Sequence, residues 1–257
     1  MDNLLVPIDL SDSTNQAITN LTDPTTKNAG QTFGDIWYLV FGGISHAADK
    51  RRMKYAHDLE QYRQELDASI AQIPDNKRVE PSIQITAQAL ENSKYCVSSR
   101  ELREMFVKLI SGTMHCDFAA DAHPSFPEIL KQMSSTDARL LQDFKISRSR
   151  PIVDYITKNA NGSTKTFAQY VYMNISGNDF EDYSTSISSL HRLGLISIKT
   201  DEWLSNENLY EPFKKSLRFQ IIESILKSQN IPDSLDIKKG FCKLTPLGEQ
   251  FIKVCLP

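Results

Sequence analysis

With 257 residues, 40% of them apolar and 24% charged, the chain has the composition of an ordinary folded protein and enough length for two cores. No stretch reaches the roughly 18 consecutive apolar residues of a membrane-spanning helix, and the first residues lack the basic and apolar segments of a signal peptide, so we expect a cytoplasmic protein without a membrane partner. The four cysteines stand far apart and form no CxxC pair, which fits neither a disulfide framework nor a zinc ribbon. The net charge is −3, and counted in blocks of fifty residues the chain shows no block with the basic excess of a nucleic-acid-binding surface.

Residues 1–32 are polar and acidic and show no sustained hydrophobic period, which predicts a loosely structured tail. The apolar run at 33–44 is too short to cross a bilayer. It predicts a buried helix, or a dock for the next helix, and the alternative is a helix that lies on a membrane surface. A helical domain is expected over residues 33–146.

The next element, at 45–73, has apolar side chains at intervals of three and four residues and is ended by Pro74. This spacing predicts one long amphipathic helix. A narrow stripe of this kind packs against another helix of the same chain or pairs with a second copy. The candidate contact residues on the stripe are Tyr55, Leu59, Tyr62 and Leu66.

Shorter amphipathic helices are predicted over the rest of the first half. Ser98 stands three residues before Glu101, and Ser134 stands three before Asp137, which is the spacing of a capping box at a helix start. The polar segment SRSRP at 147–151 is the expected hinge to a second domain.

The second domain, expected at 151–257, combines helices with strands. The stretch STSISSLHRLGLISI predicts a helix that Gly194 ends in a left-handed conformation, followed by a strand. The stretch KLTPLGEQFI predicts a strand and then a helix with Thr245 as its N-cap and Pro246 in its first turn. This order outlines a winged helix, with residues 200–240 as a wing that carries a helical insertion. The expected fold class is therefore mainly α, with a helical N-terminal half, its long amphipathic helix, and a C-terminal winged-helix-like α+β domain.

Several segments resemble a known family. They are ALENSKYCVSSRELREMFVKLISGTM, HPSFPEILKQMSSTDARLL, SISSLHRLGLI and KLTPLGEQFI, in this order. On these segments, residues 30–255 are similar to the abortive-infection alpha family, a bacterial family linked to phage defence. The resemblance implies a role in the response to infection and brings no catalytic residue with it.

The segment HCDFAADAHPSF at 115–126 groups potential metal ligands, because it holds His115, Cys116 and His123. Zinc requires three or four ligands that converge at about 2.0–2.3 Å, and so short a segment would need all of them to turn inward on one tight loop. We therefore predict no metal and no other cofactor. We expect His123 or Ser125 to cap the helix that follows.

A second candidate site is RRMKYAH at 51–57. Arg52 and His57 have four residues between them, a spacing similar to the ribonuclease motif of HEPN-type toxins, in which the histidine acts as general acid–base and the arginine supports the phosphate. The motif is so loose that a chain of this composition is expected to contain it by chance. A solvated basic face of the long helix is the simpler interpretation.

Three functions remain open on these grounds. The favoured one is a phage-defence protein that acts without catalysis, as a sensor or adaptor, through a protein partner or through self-association. The first alternative is a toxin ribonuclease that uses Arg52 and His57. The second is a nucleic-acid-binding protein whose phosphate contacts are Arg192, Lys214, Lys215 and Arg218.

Overall fold

The computed structural model describes residues 27–42, 50–159, 162–174, 182–229 and 234–256. The chain divides into two compact units, which are Met1–Gln132 with Val254–Pro257 (unit 1) and Met133–Lys253 (unit 2). Most of the tail expected at 1–32 lies outside the described residues.

Unit 1 is built from helices. They are α1 Lys27–Phe41, α2 Lys50–Ala71, α3 Ile83–Ser93, α4 Arg100–Thr113, α5 Cys116–Ala119 and α6 Phe126–Lys131, with a 3-10 turn at Asp75–Lys77. The long helix predicted at 45–73 is α2. In the part of the chain that the structure describes, no helix is long and apolar enough to cross a membrane.

The apolar stripe of α2 lies in the core of unit 1. Tyr62 and Leu66 are fully buried, and the ring centre of Tyr62 is 5.8 Å from that of Trp37 in α1. On the same helix, Glu65 accepts two hydrogen bonds of 2.9 Å from the buried guanidinium of Arg103 in α4. A two-pronged ion pair of this kind is among the stronger polar contacts in proteins, so it ties α2 to α4.

The start of α4 differs from its prediction by one residue. The N-cap is Ser99, whose hydroxyl accepts the backbone N–H of Leu102, and not Ser98. The hydroxyl of Ser98 instead donates to the carboxylate of Asp58 in α2 at 2.6 Å. The two neighbouring serines therefore have different roles, since Ser99 caps α4 and Ser98 bonds α2.

Unit 2 contains a four-stranded antiparallel sheet with the strand order β2-β1-β4-β3. The strands are β1 Ser149–Lys158, β2 Thr164–Val171, β3 Ile196–Lys199 and β4 Ser234–Leu244. The helices are α7 Ser135–Ile146, α8 Ser184–Arg192, α9 Glu211–Lys215, α10 Leu217–Ser228 and α11 Pro246–Cys255, with a 3-10 turn at Glu207–Leu209. Helix α7 begins with the predicted capping box of Ser134 and Asp137.

The expected winged helix, and with it the expected fold class, is wrong. Strand β1 lies in the interior of the sheet and pairs with β4 along its whole length, from Ser149 opposite Lys243 to Lys158 opposite Ser234. Along the described chain, the element before α8 is strand β2 and not the first helix of a helix–turn–helix motif. The fold of unit 2 is a four-stranded sheet with helices α9 and α10 between β3 and β4.

The sequence analysis did not predict the hairpin of β1 and β2, and the reason is physical. Residues 152–157 of β1 are all buried, so the strand shows none of the alternation that marks a half-buried strand. It also begins inside the polar segment at 147–151, at Ser149, so the expected hinge is the start of β1. A strand with neighbours on both edges and covered faces reads only as a short apolar run.

The helical insertion is attached to the sheet through a buried tyrosine. The hydroxyl of Tyr155 in β1 donates to the carbonyl oxygen of Phe213 at 2.9 Å and lies 2.8 Å from the hydroxyl of Ser216. The ring of Phe219 in α10 meets the ring of Tyr155 edge-on at 5.4 Å. These contacts hold α9 and the start of α10 against β1.

The junction of α8, β3 and α11 follows the sequence prediction. Gly194 ends α8 with a φ of +75°, and the hydroxyl of Thr245 accepts the backbone N–H of Gly248 in the first turn of α11. Gly248 lies directly against the backbone of Leu195, because a Cβ atom added there would be 2.0 Å from the Leu195 carbonyl oxygen. Only glycine fits at this position.

Candidate functional site

A cavity of about 590 Å³ lies along strand β2 in unit 2. One wall consists of the consecutive β2 residues 166–170, the other contains Ser184, Thr185 and Ser188 of α8, and Asp182 and Arg218 complete the lining. Successive side chains of a strand point to opposite faces of the sheet. A cavity that touches five strand residues in a row therefore follows the edge of the strand. We call this cavity the β2 groove.

Strand β2 is an outer strand of the sheet, paired only with β1 among the described strands. Most of its residues are exposed. The hydrogen bonds that the described residues give its backbone run inward, to β1 and to the side chain of Asp154. Among the described residues, no strand pairs with the outer edge of β2, so this edge presents a row of backbone donors and acceptors to which a further strand can add.

The strand edge is shaped by a fixed irregularity at Tyr170. This residue has a φ of +52°, in the left-handed region that aromatic residues seldom adopt. Its backbone N–H donates to the carboxylate of Asp154, a buried residue of β1, at 2.9 Å. The register between β1 and β2 shifts on both sides of Tyr155. Asp154 thus holds a local distortion in place within the wall of the groove.

Charged side chains in and beside the groove favour an acidic ligand. Arg218 lies 3.1 Å from the carboxylate of Asp182, which also accepts the backbone N–H of Ser184. Partial burial raises the pKa of Asp182, but the hydrogen bonds from Ser184 and Arg218 outweigh it and hold that pKa at about 2. The ammonium of Lys165, in β2, lies 5.2 Å from the ring centre of Phe167. Two cations thus accompany one carboxylate at this surface.

Helix α10 presents a second open surface. Phe219 and Leu226 on one side of the helix are buried, and Phe219 belongs to the core cluster around Tyr155. On the opposite side Ile221 and Ile225, one helical turn apart, expose 50% and 47% of their surface. A helix that packs against its own core needs only one apolar face. We call the exposed side with Ile221 and Ile225 the α10 face.

The contact residues predicted on the long helix are buried or half-buried. Tyr62 and Leu66 are fully buried within unit 1, and Leu59 is half-buried. The hydroxyl of Tyr55 donates to the carbonyl oxygen of Lys94 at 3.1 Å. This stripe of α2 therefore serves the packing of unit 1, and it is not available to a partner in this conformation.

The predicted ribonuclease pair lies on α2. His57 is exposed on that helix, while the side chain of Arg52 is outside the described residues, although its backbone belongs to the helix. The structure therefore places the two residues on one helix and supplies no distance between their side chains. The pair stays a prediction.

The predicted nucleic-acid contacts are partly neutralised. Lys214 forms an ion pair with Asp236 at 3.1 Å, and Arg218 forms the pair with Asp182. Lys215 and Arg192 are exposed, at the ends of α9 and α8. Since at least two of the four cations face carboxylates, this region carries less positive charge than the sequence suggested.

Of the three predicted metal ligands, His115 and Cys116 lie close together, and His123 is not part of their cluster. Ligand atoms of His115, Cys116 and Asp117 lie within 4.8 Å of one another. The ring of His115 caps α5 by accepting the N–H of Asp117, and the ammonium of Lys77 lies 2.5 Å from the Asp117 carboxylate, lowering its pKa. A cation at that carboxylate repels a metal ion, so a helix cap and an ion pair account for this cluster.

The third predicted ligand, His123, serves the turn before α6. Its Nδ1 accepts the backbone N–H of Ser125 at 3.1 Å and lies 2.7 Å from the Ser125 hydroxyl. His123 therefore bonds the amide of Ser125, the residue just before α6, and the expected side-chain cap of that helix by His123 or Ser125 is not formed.

Of the residues that line the β2 groove, the sequence analysis proposed only Arg218 as a contact residue, and for a different function. The groove joins three segments that are distant in the chain, at 166–170, at 182–188 and at 218. The only signal in the sequence was the exposed-looking TKTFAQ stretch of β2, which becomes informative once the strand order is known.

Comparison with known families and proteins yields one similarity. The model of a family described as abortive infection alpha matches residues 54–255, a segment that includes His57, the β2 groove and the α10 face and begins after Arg52. Comparison with curated proteins and with solved structures gave no match.

Proposed function

Because this chain belongs to the abortive infection alpha family, we propose that it acts in abortive infection as a sensor or adaptor, through protein contacts and without catalysis. Family membership supports the association with abortive infection. The contact mechanism goes beyond the family, and the observation that carries it is the α10 face.

The α10 face supports a protein contact because core packing does not account for it. The helix already buries Phe219 and Leu226 in unit 2, and Ile221 and Ile225 remain half exposed on its other side. Full burial of an isoleucine side chain contributes about 1.5–3 kcal/mol. Because Ile221 and Ile225 are already about half buried, the two together would contribute about that amount in a partner interface.

The test is a double substitution, Ile221→Asp with Ile225→Asp, in cells challenged with phage. Each aspartate removes the apolar contact and would bury an unpaired charge in the interface, so we expect the variant to lose protection. Its melting temperature should stay close to that of the wild type, because exposed substitutions usually change stability by no more than about 0.5 kcal/mol. The measurements are plating efficiency, cell survival and thermal unfolding.

Ile83→Asp is the matched control. Ile83 is also exposed, at 60%, but it is the first residue of α3 in unit 1, where an acidic residue suits the helix start. We expect this variant to protect cells normally. Unchanged protection in the α10-face variant, or equal losses in both, would contradict the proposal.

A further inference from the structure

The β2 groove limits what can occupy it by the geometry of its strand wall. The outer edge of β2 offers N–H and C=O groups at the spacing of an extended chain, about 3.3 Å per residue. A helix has already paired its own backbone groups, and a small molecule cannot match a row that continues over five residues. An extended polypeptide supplies donors and acceptors with the same repeat. The strand edge therefore selects a peptide in extended conformation.

The opposite wall of the groove determines which side chains such a peptide can carry. Ser184, Thr185 and Ser188 of α8 line it with short hydroxyl-bearing side chains, which let another backbone approach closely and form hydrogen bonds with polar side chains. Arg218 has five N–H donors, and Asp182 alone does not use them all. Lys165 adds a second cation on β2 itself. The lining therefore complements a peptide that carries Asp or Glu.

From these observations we infer that the β2 groove binds an extended acidic segment of a partner protein, which adds to β2 as a fifth strand of the sheet. The inference names a site for the protein contacts proposed above, and its biological role rests on that proposal. The binding itself follows from the groove and is tested apart from protection of cells.

The probe is a random ten-residue peptide library displayed on yeast, selected with the purified full-length chain. Peptides that survive selection are synthesised and titrated. We expect them to contain Asp or Glu and to bind with a Kd in the micromolar range, which corresponds to about 6–8 kcal/mol. Replacing Glu by Gln should weaken them, because Lys165 loses a carboxylate and Arg218 keeps only its pair with Asp182.

Two features separate strand addition from other binding modes. A strand bonds its neighbour along one edge only, so N-methylation of alternate backbone amides on that edge should abolish binding, while N-methylation of the other set should have little effect. Amide hydrogen exchange should slow in 164–171 on addition of the peptide. Equal effects of the two methylation patterns, or protection confined to other segments, would overturn the inference.

A matched pair of serine variants locates the site. Ser188 in α8 and Ser224 in α10 are both exposed helical serines whose hydroxyls donate to the carbonyl oxygen four residues earlier. Ser188→Arg places a long side chain in the groove and should weaken peptide binding at least about tenfold, or 1.4 kcal/mol. Ser224→Arg, outside the groove lining, should bind the peptides normally.

Two further results would count against binding of a partner's peptide in the groove. Failure to enrich any peptide over the Ser188→Arg protein would overturn the inference, and so would a homodimer that Ser188→Arg dissociates, because the occupant would then be a second copy of the chain. All these measurements use purified protein. They therefore stand whether or not the α10-face variant loses protection, and the two proposals can fail separately.

Discussion

Helices α2 and α10 have the same kind of apolar stripe, and the fold covers one stripe while leaving the other open. In α2, Tyr62 and Leu66 are fully buried beneath the neighbouring helices of unit 1. In α10, Ile221 and Ile225 remain half exposed although the opposite side of the helix is packed. Periodicity thus predicts that a helix has an apolar face, but only tertiary structure decides whether the chain itself covers it.

The same contrast extends to the polar groups of the two units. In unit 1, the buried guanidinium of Arg103 donates two hydrogen bonds to the carboxylate of Glu65. In unit 2, Asp236 pairs with Lys158 and Lys214 at the surface, and no described strand pairs with the outer edge of β2. The predicted contact stripe of α2 is used inside unit 1, whereas α10 and β2 of unit 2 keep surfaces that a partner can use; unit 1 also exposes Tyr38 and Leu39 of α1. This difference is why we assign the contact function to unit 2.

The largest effect is expected from a pair of glycine substitutions, one in each unit. Gly248→Ala drives a Cβ atom into the backbone of Leu195 and should destabilise unit 2 by about 3 kcal/mol or more, because neither backbone can move freely. Gly112→Ala in α4 meets its nearest neighbour, Val254, at an ordinary 3.5 Å and should stabilise unit 1 by up to about 1 kcal/mol.

Amide hydrogen exchange measures both glycine variants unit by unit. Faster exchange should be confined to unit 2 in Gly248→Ala. If Gly248→Ala leaves the exchange of unit 2 unchanged, the close packing of α11 against Leu195 is wrong.

A smaller effect is expected from two fully buried tyrosines. Tyr155→Phe removes the hydroxyl that bonds Phe213 and Ser216, and should cost about 1–2 kcal/mol. The hydroxyl of Tyr62, equally buried in unit 1, forms no well-aligned hydrogen bond in the described part of the chain, because the nearby hydroxyl of Ser93 donates to the carbonyl oxygen of Leu90. Tyr62→Phe should therefore be neutral or slightly stabilising. Urea unfolding monitors both variants, and equal losses would contradict the difference between the units.

The smallest effect concerns the surface carboxylate of Asp236. Partial burial raises its pKa, but the N–H of Ile237 and the ammonium groups of Lys158 and Lys214 outweigh this and hold the pKa at about 2. The folded pKa lies below the unfolded value of about 3.9, so this carboxylate stabilises the fold above about pH 4 and loses that contribution as pH falls towards 2.

Asp236→Asn measures that contribution. At pH 7 it should cost less than about 1 kcal/mol, because the side chain is one third exposed and solvent screens the pairs. Urea unfolding at several pH values should show the difference from wild type shrinking below pH 4. A difference that stays constant down to pH 2.5 would mean that the ion pairs do not cause it.

The sequence predicted local structure well and the sheet poorly. The long helix, the Ser134 capping box and the Gly194 helix end depend on residues close in the chain, and all three are present. Strand β1 is buried without alternation, so its residues carried no strand signal. The winged-helix error follows directly, because it was drawn without the central strand of the sheet.

The candidate sites show the same limit. His115 and Cys116 are neighbours in sequence and do meet, whereas His123 points to its own turn. The β2 groove depends on which strand lies at the edge of the sheet and on a helix that follows later in the chain. Such a surface has no local motif, so it becomes visible only when the topology is known.

The central claim, that this chain acts by contact through unit 2 and not by catalysis at α2, is tested most directly with His57→Ala. Phage plating efficiency and cell survival are measured at equal protein levels, at low and high multiplicity of infection. We predict that His57→Ala protects as well as the wild type, because an exposed histidine on α2 takes no part in the contact surfaces. Loss of protection with normal accumulation and an unchanged melting temperature would contradict the account and favour a ribonuclease.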